Sequence, residues 1–96
     1  MLNPQYIKDY LSEKLNTDYR ISSNNQELMV ASPFVEADQR RHFSINLNSG
    51  LWQCFKTGNR GNFIKLYSIL EEISYPVAES KLLFMGIETG LWDFWE

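Results

Sequence analysis

Cysteine is nearly absent from this chain of 96 residues, which contains a single one, Cys54. One thiol excludes an internal disulfide, and it also excludes a structural zinc site built mainly from thiolates of one chain. The length corresponds to one domain of ordinary size. Hydrophobic residues make up 44% and charged residues 22%, so the chain has the composition of a folded globular protein.

Long apolar runs are also absent. The first ten residues contain Lys8 and Asp9 and no apolar stretch, which argues against a secretory signal. Nowhere does an apolar run approach the ~18 residues that indicate a membrane span. We therefore expect a soluble, cytoplasmic domain.

Acidic residues are missing from positions 39 to 70. The charged residues of that stretch are all basic, and the remaining chain holds 12 acids and only 4 bases, so +5 and −8 give the net charge of −3; the five bases are Arg40, Arg41, Lys56, Arg60 and Lys65. A basic stretch in an acidic chain indicates a surface for a polyanion, although short runs without acids also arise by chance.

Three segments have helical patterns. Asn3 and Pro4 are a typical cap and first residue, and apolar residues then recur on one stripe, predicting a helix over 4–15. Two more helices are predicted over 62–73 and 76–85. The stripes consist of Ile7, Tyr10, Leu11 and Leu15, then Phe63, Leu66, Tyr67, Leu70 and Ile73, then Ala78, Leu82 and Met85. The aromatic tail, with Trp92, Phe94 and Trp95, is too apolar for a free end and is expected to pack on the core or to lead into another domain.

Short strands are predicted between the helices, over 27–31, 42–47 and 51–55. Asn16 to Gln26 is rich in turn-forming residues and is expected to be irregular. A three-residue loop at 48–50 pairs Leu47 with Leu51, which turns Phe55 to the core and Trp52 to the other face. The predicted fold class is therefore α+β: a small antiparallel sheet with one N-terminal and two C-terminal helices.

Catalytic patterns are weak. His42 and Cys54 fall on neighbouring predicted strands, but no residue nearby indicates an orienting acid or an oxyanion site. The segment KTGNRG, residues 56–61, places glycines before a helix as a phosphate loop does, yet it lacks the GxxxxGK[ST] pattern. We expect no catalytic residues in this domain.

The motifs SPF, HFSIN and GLWQCFKTGNRGNFIKL, in this order, resemble the N-terminal zinc-ribbon domain of bacterial and phage DNA primases. The resemblance runs from about Gln5 to Leu83 and is most specific over Ser32 to Leu66. It implies a Cys-His-Cys-Cys zinc site whose ligands fall on Ser32, Val35, Cys54 and Thr57. Because hydroxyls are poor zinc ligands and valine is none, the family's zinc site is expected to be lost, with no cofactor in its place. Val35 and Thr57 are then expected to pack around Cys54 in place of the ion, while a rearranged site of His42, Cys54 and Asp38 is an alternative with little support.

The resemblance also implies a role in DNA replication. In that family the domain contacts the single-stranded template and works beside a separate polymerising core. The residues expected to bind nucleic acid here are Arg40, Arg41, Trp52, Lys56, Arg60 and Lys65, with the tryptophan as a stacking platform. The alternative is a metal-free module that docks to a primase or polymerase core, a helicase or a regulatory target. A further possibility is that these residues are the front part of a longer primase, acting in the host cytoplasm if a phage encodes it.

Overall fold

The computed structural model describes residues 3–15, 19–36, 38 and 40–86, which form three helices and one five-stranded antiparallel sheet. The predicted α+β class, with one helix before the sheet and two after it, is confirmed. The sheet is a simple meander, in which each strand pairs with the next in the order β1-β2-β3-β4-β5. The elements are α1 (Pro4–Leu15), β1 (Tyr19–Ile21), β2 (Glu27–Val30), β3 (Phe43–Asn46), β4 (Trp52–Cys54), β5 (Arg60–Gly61), α2 (Phe63–Glu71) and α3 (Tyr75–Phe84).

Side chains cap each helix at its first turn. The Oδ1 of Asn3 accepts the amide of Gln5 at 2.9 Å, and the Oδ1 of Asn62 accepts the amide of Lys65 at 2.9 Å. The Oγ of Ser74 accepts a hydrogen bond from the amide of Val77 in the same way. Such caps satisfy amides that have no partner within the helix, which explains why the helices begin at these residues.

The core lies against one face of the sheet and includes residues from all three helices and from β2, β3 and β4. Its largest fully buried side chains are Phe43, Phe63, Ile7, Leu11, Leu28, Ile45, Leu47, Ile64, Leu66, Leu82 and Val30. The predicted stripes of α1 and α2 face this core. Met85 does not belong to it, because the residue caps the end of α3 and is 49% exposed.

The hairpin of β3 and β4 differs from the sequence-based prediction by one residue. Asn46 and Leu51 face each other, since the amide of Asn46 donates to the carbonyl of Leu51 at 2.8 Å, so the loop has four residues, 47–50. Gly50 closes this loop at a φ of +77°, and its amide donates to the carbonyl of Asn46. The longer loop pairs Ile45 with Trp52 and Phe43 with Cys54, which exchanges the two faces of β4.

Two strands were not predicted. Tyr19–Ile21 lies in the segment expected to be irregular, and Arg60–Gly61 lies in the segment between the hairpin and α2. The first helix after the sheet is three residues shorter than predicted, the second has the predicted length but begins one residue earlier, and a left-handed Glu72 separates them. The expectation for Trp92, Phe94 and Trp95 lies outside the described residues.

Candidate nucleic-acid interface

Two short loops bring three of the four predicted ligand positions together. The first loop, residues 32–35, follows β2, and the second, residues 54–57, leaves the end of β4. The Oγ of Ser32 donates to the Sγ of Cys54 at 3.0 Å. The hydroxyl of Thr57 is among the groups that lower the pKa of this thiol. The amide of Val35 donates to the carbonyl of Ser32 at 3.2 Å and closes a turn within the first loop. We call this arrangement of two loops around one sulfur the thiol cluster.

The sulfur at the centre of the thiol cluster and its partner Ser32 are buried. Cys54 is 1% exposed and Ser32 is 4% exposed. Burial by itself raises the pKa of the Cys54 thiol. Hydrogen bonds from the hydroxyls of Ser32 and Thr57, and from the amides of Thr57 and Lys56, outweigh burial and leave the pKa below its ordinary value.

Asp38 fixes the first loop against the sheet. Its Oδ2 accepts the amide of Ser32 at 2.7 Å and the amide of His42 at 2.8 Å, and its Oδ1 accepts the amide of Arg40 at 3.0 Å. The Oδ1 also lies 2.7 Å from the Nδ1 of His42. Burial raises the pKa of the Asp38 carboxyl, but these hydrogen bonds dominate and hold it well below the usual range.

The side chain of His42 therefore bonds to Asp38 and not to the Cys54 thiol. Its neighbour Phe43 points into the core and pairs with Cys54, so the His42 ring lies on the opposite side of β3. The alternative in which His42 and Cys54 act as a pair thus lacks the geometry it needs. Within the described residues, no three His, Cys, Asp or Glu side chains are grouped as metal ligands.

Trp52 does not lie where the sequence placed it. It is 3% exposed, stacks between Phe34 and Phe43 with ring centroids 5.4 Å away from each, and donates its Nε1 to the carbonyl of Asn62 at 2.7 Å. The predicted outward face for this residue is wrong, because the four-residue loop turns Trp52 to the core. A buried indole of this kind has no free face for a nucleic-acid base.

The outward face of β4 carries other apolar side chains. Leu51 is 61% exposed and Phe55 is 63% exposed, although both were expected in the core. Gln53 lies between them on the same face. Together with Glu27, Ser44, Asn46 and Ser49 they line an open depression of about 510 Å³, which we call the sheet groove.

The predicted basic residues do not line the sheet groove and lie on segments next to it. The amide of Phe55 donates to the carbonyl of His42. Lys56 follows in the turn that the Gly58 amide closes on the Cys54 carbonyl, and Arg41 precedes His42 at a φ of +51°. Arg60 pairs with Gln53 on the adjacent β5. The five predicted bases, Arg40, Arg41, Lys56, Arg60 and Lys65, are all exposed.

Lys65 and Arg60 are joined directly. The Nζ of Lys65 donates to the carbonyl of Arg60 at 3.0 Å and so crosses from α2 to the edge strand. The amide of Arg40 donates to the carboxylate of Asp38, which holds the backbone of Arg40 next to Asp38. The structure thus sets Arg60 opposite Gln53 and bonds Lys65 to the backbone of Arg60, while Lys56 is next to Phe55 in the chain.

Glu27 lines the sheet groove, which the count of charges along the sequence did not predict. The Ser44 hydroxyl donates to its Oε2 at 2.9 Å, and the Nδ2 of Asn46 donates to its Oε1 at 3.2 Å. The sequence separates this acid from the basic stretch by many residues. Pairing of β2 with β3 brings it into the sheet groove, at the end away from Phe55.

A second depression, of about 650 Å³, lies on the helices. We call it the helical groove, and it is lined by Tyr67, Pro76, Val77, Ser80, Lys81, Phe84 and Met85. Phe84 is 94% exposed there. No helix of the described part of the chain has both the length and the apolar character that crossing a membrane requires.

Comparisons of the chain with protein-family models, with curated proteins and with solved structures gave no match, so the contacts described above carry the functional argument.

Proposed function

We propose that this chain is a non-catalytic domain that binds single-stranded DNA, related to the template-recognition domain of DNA primases and acting in the cytoplasm during primer synthesis. One observation carries the proposal: the exposed ring of Phe55 borders the sheet groove, with Lys56 next to it in the chain and Arg60 opposite Gln53 on the adjacent strand. The stacking residue is therefore Phe55 and not Trp52.

The chemistry of single strands supports this assignment. Unpaired bases stack on exposed aromatic rings whatever their sequence, while lysine and arginine follow the phosphates. A phenylalanine with more than half of its surface in water gains from such a contact, because the base covers apolar area that the fold leaves exposed. Nearby lysine and arginine side chains then add a salt-dependent attraction for the phosphate backbone of the DNA.

The thiol cluster supports the relation to the zinc-ribbon domain of primases. Three positions that the resemblance assigns to ligands, Ser32, Cys54 and Thr57, meet at one sulfur although they come from two separate loops. Hydroxyl and amide hydrogen bonds take the place that an ion has in that family. Loss of the ion therefore leaves the geometry of the loops intact, and the second loop still presents Phe55 and Lys56 to solvent.

Titration with a fluorescent single-stranded DNA of about 15 nucleotides tests the proposal. Binding is expected at about 50 mM salt and should weaken at about 200 mM salt. Phe55→Ala is expected to weaken binding roughly 5-fold to 150-fold, as loss of one stacking contact does. Arg60→Ala should weaken it too and reduce its dependence on salt.

The matched control is Phe84→Ala, which removes an even more exposed ring from the helical groove. It should leave DNA binding unchanged. Absence of binding by the folded chain at low salt would overturn the proposal, and so would equal losses from Phe55→Ala and Phe84→Ala.

A second candidate function is docking to a protein, and the helical groove is the observation that favours it. Val77, Phe84 and Met85 expose contiguous apolar surface, and Lys81 adds one positive charge at its side. A complementary partner offers an apolar helix with a carboxylate for Lys81. The resemblance suggests a primase core or a helicase as the protein that carries such a helix.

Calorimetric titration with a primase core and with a replicative helicase tests this second candidate. Phe84→Ser should abolish binding to the partner and leave DNA binding intact. Phe55→Ala should have the reverse effect, so the two variants separate the two functions.

A further inference from the structure

The sheet groove has opposite charges at its two ends. Lys56 follows Phe55 at one end, the Glu27 carboxylate lies at the other, beside Leu51 and Asn46, and Arg60 lies level with Gln53 on the adjacent strand. Phe55 is four positions after Leu51, which corresponds to roughly 13 Å along an extended strand. The groove is thus long enough for more than one nucleotide.

The negative charge of Glu27 is unfavourable in a surface that binds phosphates. A carboxylate repels the backbone of a nucleic acid, so its presence in the groove needs a different contact. Carboxylates accept hydrogen bonds and donate none, and in base recognition they accept from the exocyclic amine of cytosine. Thymine offers a carbonyl oxygen at the same position of its ring, which a carboxylate rejects.

The carboxylate is also held in one orientation. The Ser44 hydroxyl and the Asn46 amide each donate to one of its oxygens, at 2.9 and 3.2 Å. Both partners stand on β3, and Asn46 is itself fixed, because its Oδ1 accepts the amides of Asn48 and Ser49. Each carboxylate oxygen has two lone-pair sites, so accepting capacity towards the groove is left after these two bonds.

We propose that the Glu27 end of the sheet groove selects cytosine over thymine in single-stranded DNA, with the carboxylate accepting the cytosine amine and the exposed Leu51 contacting the ring. This inference rests on the proposed function and adds base selectivity to it. The strand lies with its phosphates near Arg60 and Lys56 and with one base edge directed at Glu27. Gln53, between the two ends, offers amide hydrogens to the ring nitrogen or carbonyl of a neighbouring base.

Fluorescence titration with oligo(dC) and oligo(dT) of equal length, at one salt concentration and neutral pH, tests the selectivity. The chain is expected to bind oligo(dC) at least about fivefold more tightly. Glu27→Gln keeps the size of the side chain and its contacts with Ser44 and Asn46 within reach, but it removes the charge. It should tighten binding of both DNAs and bring the ratio of their affinities close to one.

The control is Glu79→Gln on α3, which changes the net charge equally and lies outside the sheet groove. It should raise both affinities by the same factor and preserve the ratio. Equal binding of oligo(dC) and oligo(dT) by the unmodified chain would overturn the selectivity and leave the proposed function standing. A ratio unaffected by Glu27→Gln would also overturn it, whereas binding of neither DNA would overturn the proposed function and this inference together.

Discussion

The Oγ of Ser32 lies 3.0 Å from the Sγ of Cys54, although the two residues are 22 positions apart and belong to different loops. This distance is a hydrogen bond to sulfur, and the amide of Phe34 donates to the same hydroxyl at 3.1 Å. Ser32 therefore bridges the two loops by donating to one and accepting from the other. Their relation is of the kind that a shared metal ion provides in a zinc ribbon.

Cysteine and histidine placed at the positions that the resemblance assigns to zinc ligands should create a zinc site. The variant Ser32→Cys, Val35→His, Thr57→Cys provides four ligands with Cys54, because both side chains now bonded to the sulfur become thiolates. We expect one zinc ion per chain by metal analysis, and a cobalt complex with the absorption of a tetrahedral thiolate site. The same triple variant carrying Cys54→Ala is the control and should bind far more weakly. A folded triple variant without metal would contradict the relation to zinc ribbons, and one tightly held zinc in the unmodified chain would contradict the expected loss of the zinc site.

Removing the Ser32 hydroxyl should destabilise the chain by about 1 to 3 kcal/mol, since the half-buried amide of Phe34 and the buried thiol of Cys54 each lose a partner. The measurement is urea denaturation of Ser32→Ala followed by circular dichroism. Ser23→Ala changes an exposed turn residue in the same way and should stay within about 0.5 kcal/mol. A Ser32→Ala variant as stable as Ser23→Ala would show that the bond to Cys54 contributes nothing.

Because the two faces of β4 are exchanged relative to the sequence-based prediction, two aromatic substitutions should differ strongly in the stability they cost. Trp52→Ala should cost about 3 to 5 kcal/mol, because it empties the space between Phe34 and Phe43. Phe55→Ala should change stability by less than about 0.5 kcal/mol, because the ring is 63% exposed. If Trp52→Ala does not fold, Trp52→Phe replaces it as the test. This variant loses the hydrogen bond to the carbonyl of Asn62 and should also destabilise the chain, by a smaller amount. The sequence-based register requires the reverse order of stabilities, so denaturation of both variants decides between the two.

The sequence predicted β3 and its inward residues but not the orientation of β4. Phe43, Ile45 and Leu47 alternate with polar residues, so only one face of β3 could be buried. Leu51, Trp52, Cys54 and Phe55 put apolar side chains on both faces of the returning strand, and its orientation then depends on the loop. Three and four residues both fit a hairpin ending in glycine, and the alternation does not distinguish them.

The site was predictable only in part. The convergence of Ser32, Cys54 and Thr57 followed from the resemblance, because nothing in their spacing requires two loops to meet. The roles of Glu27 and Asp38 depend on contacts with side chains and amides across the fold, which a single sequence does not specify. Short edge strands such as Tyr19–Ile21 escape prediction because two of their three residues are exposed and show no alternation.

A pH-dependent contact joins α1 to α2. The hydroxyl of Tyr10 donates to the Oε2 of Glu71 at 2.6 Å, and the Nζ of Lys14 lies 2.9 Å from the same oxygen. The bond from Tyr10 and then that from Lys14 lower the pKa of the Glu71 carboxyl. A folded pKa below the unfolded value, near ~4.3 for glutamate, means that this contribution to stability is present above that pH. It is lost as the pH falls further.

Tyr10→Phe should therefore reduce stability by about 1 kcal/mol at neutral pH, and the difference from the unmodified chain should shrink as the pH falls below ~4. Urea denaturation across this pH range measures it. Tyr19→Phe, at a hydroxyl on an exposed edge strand, should show no such trend. A constant difference between Tyr10→Phe and the unmodified chain at every pH would exclude a role for the ionised carboxylate.

Glu72 ends α2 in the left-handed region, with φ 57° and ψ 45°, and its amide bonds back to the last turn of the helix. A side chain strains this conformation, and glycine adopts it without strain. A negative charge at this end of a helix is also unfavourable, because the last carbonyls carry partial negative charge. Glu72→Gly should therefore stabilise the chain by up to about 1 kcal/mol.

Glu72→Gln separates the two causes, since it removes the charge and keeps the strain. Glu79→Gly, the same replacement inside α3, should instead destabilise by about 1 kcal/mol. Opposite signs for the two glycine variants in thermal or urea denaturation would support the strained cap, and a loss of stability in both would refute it.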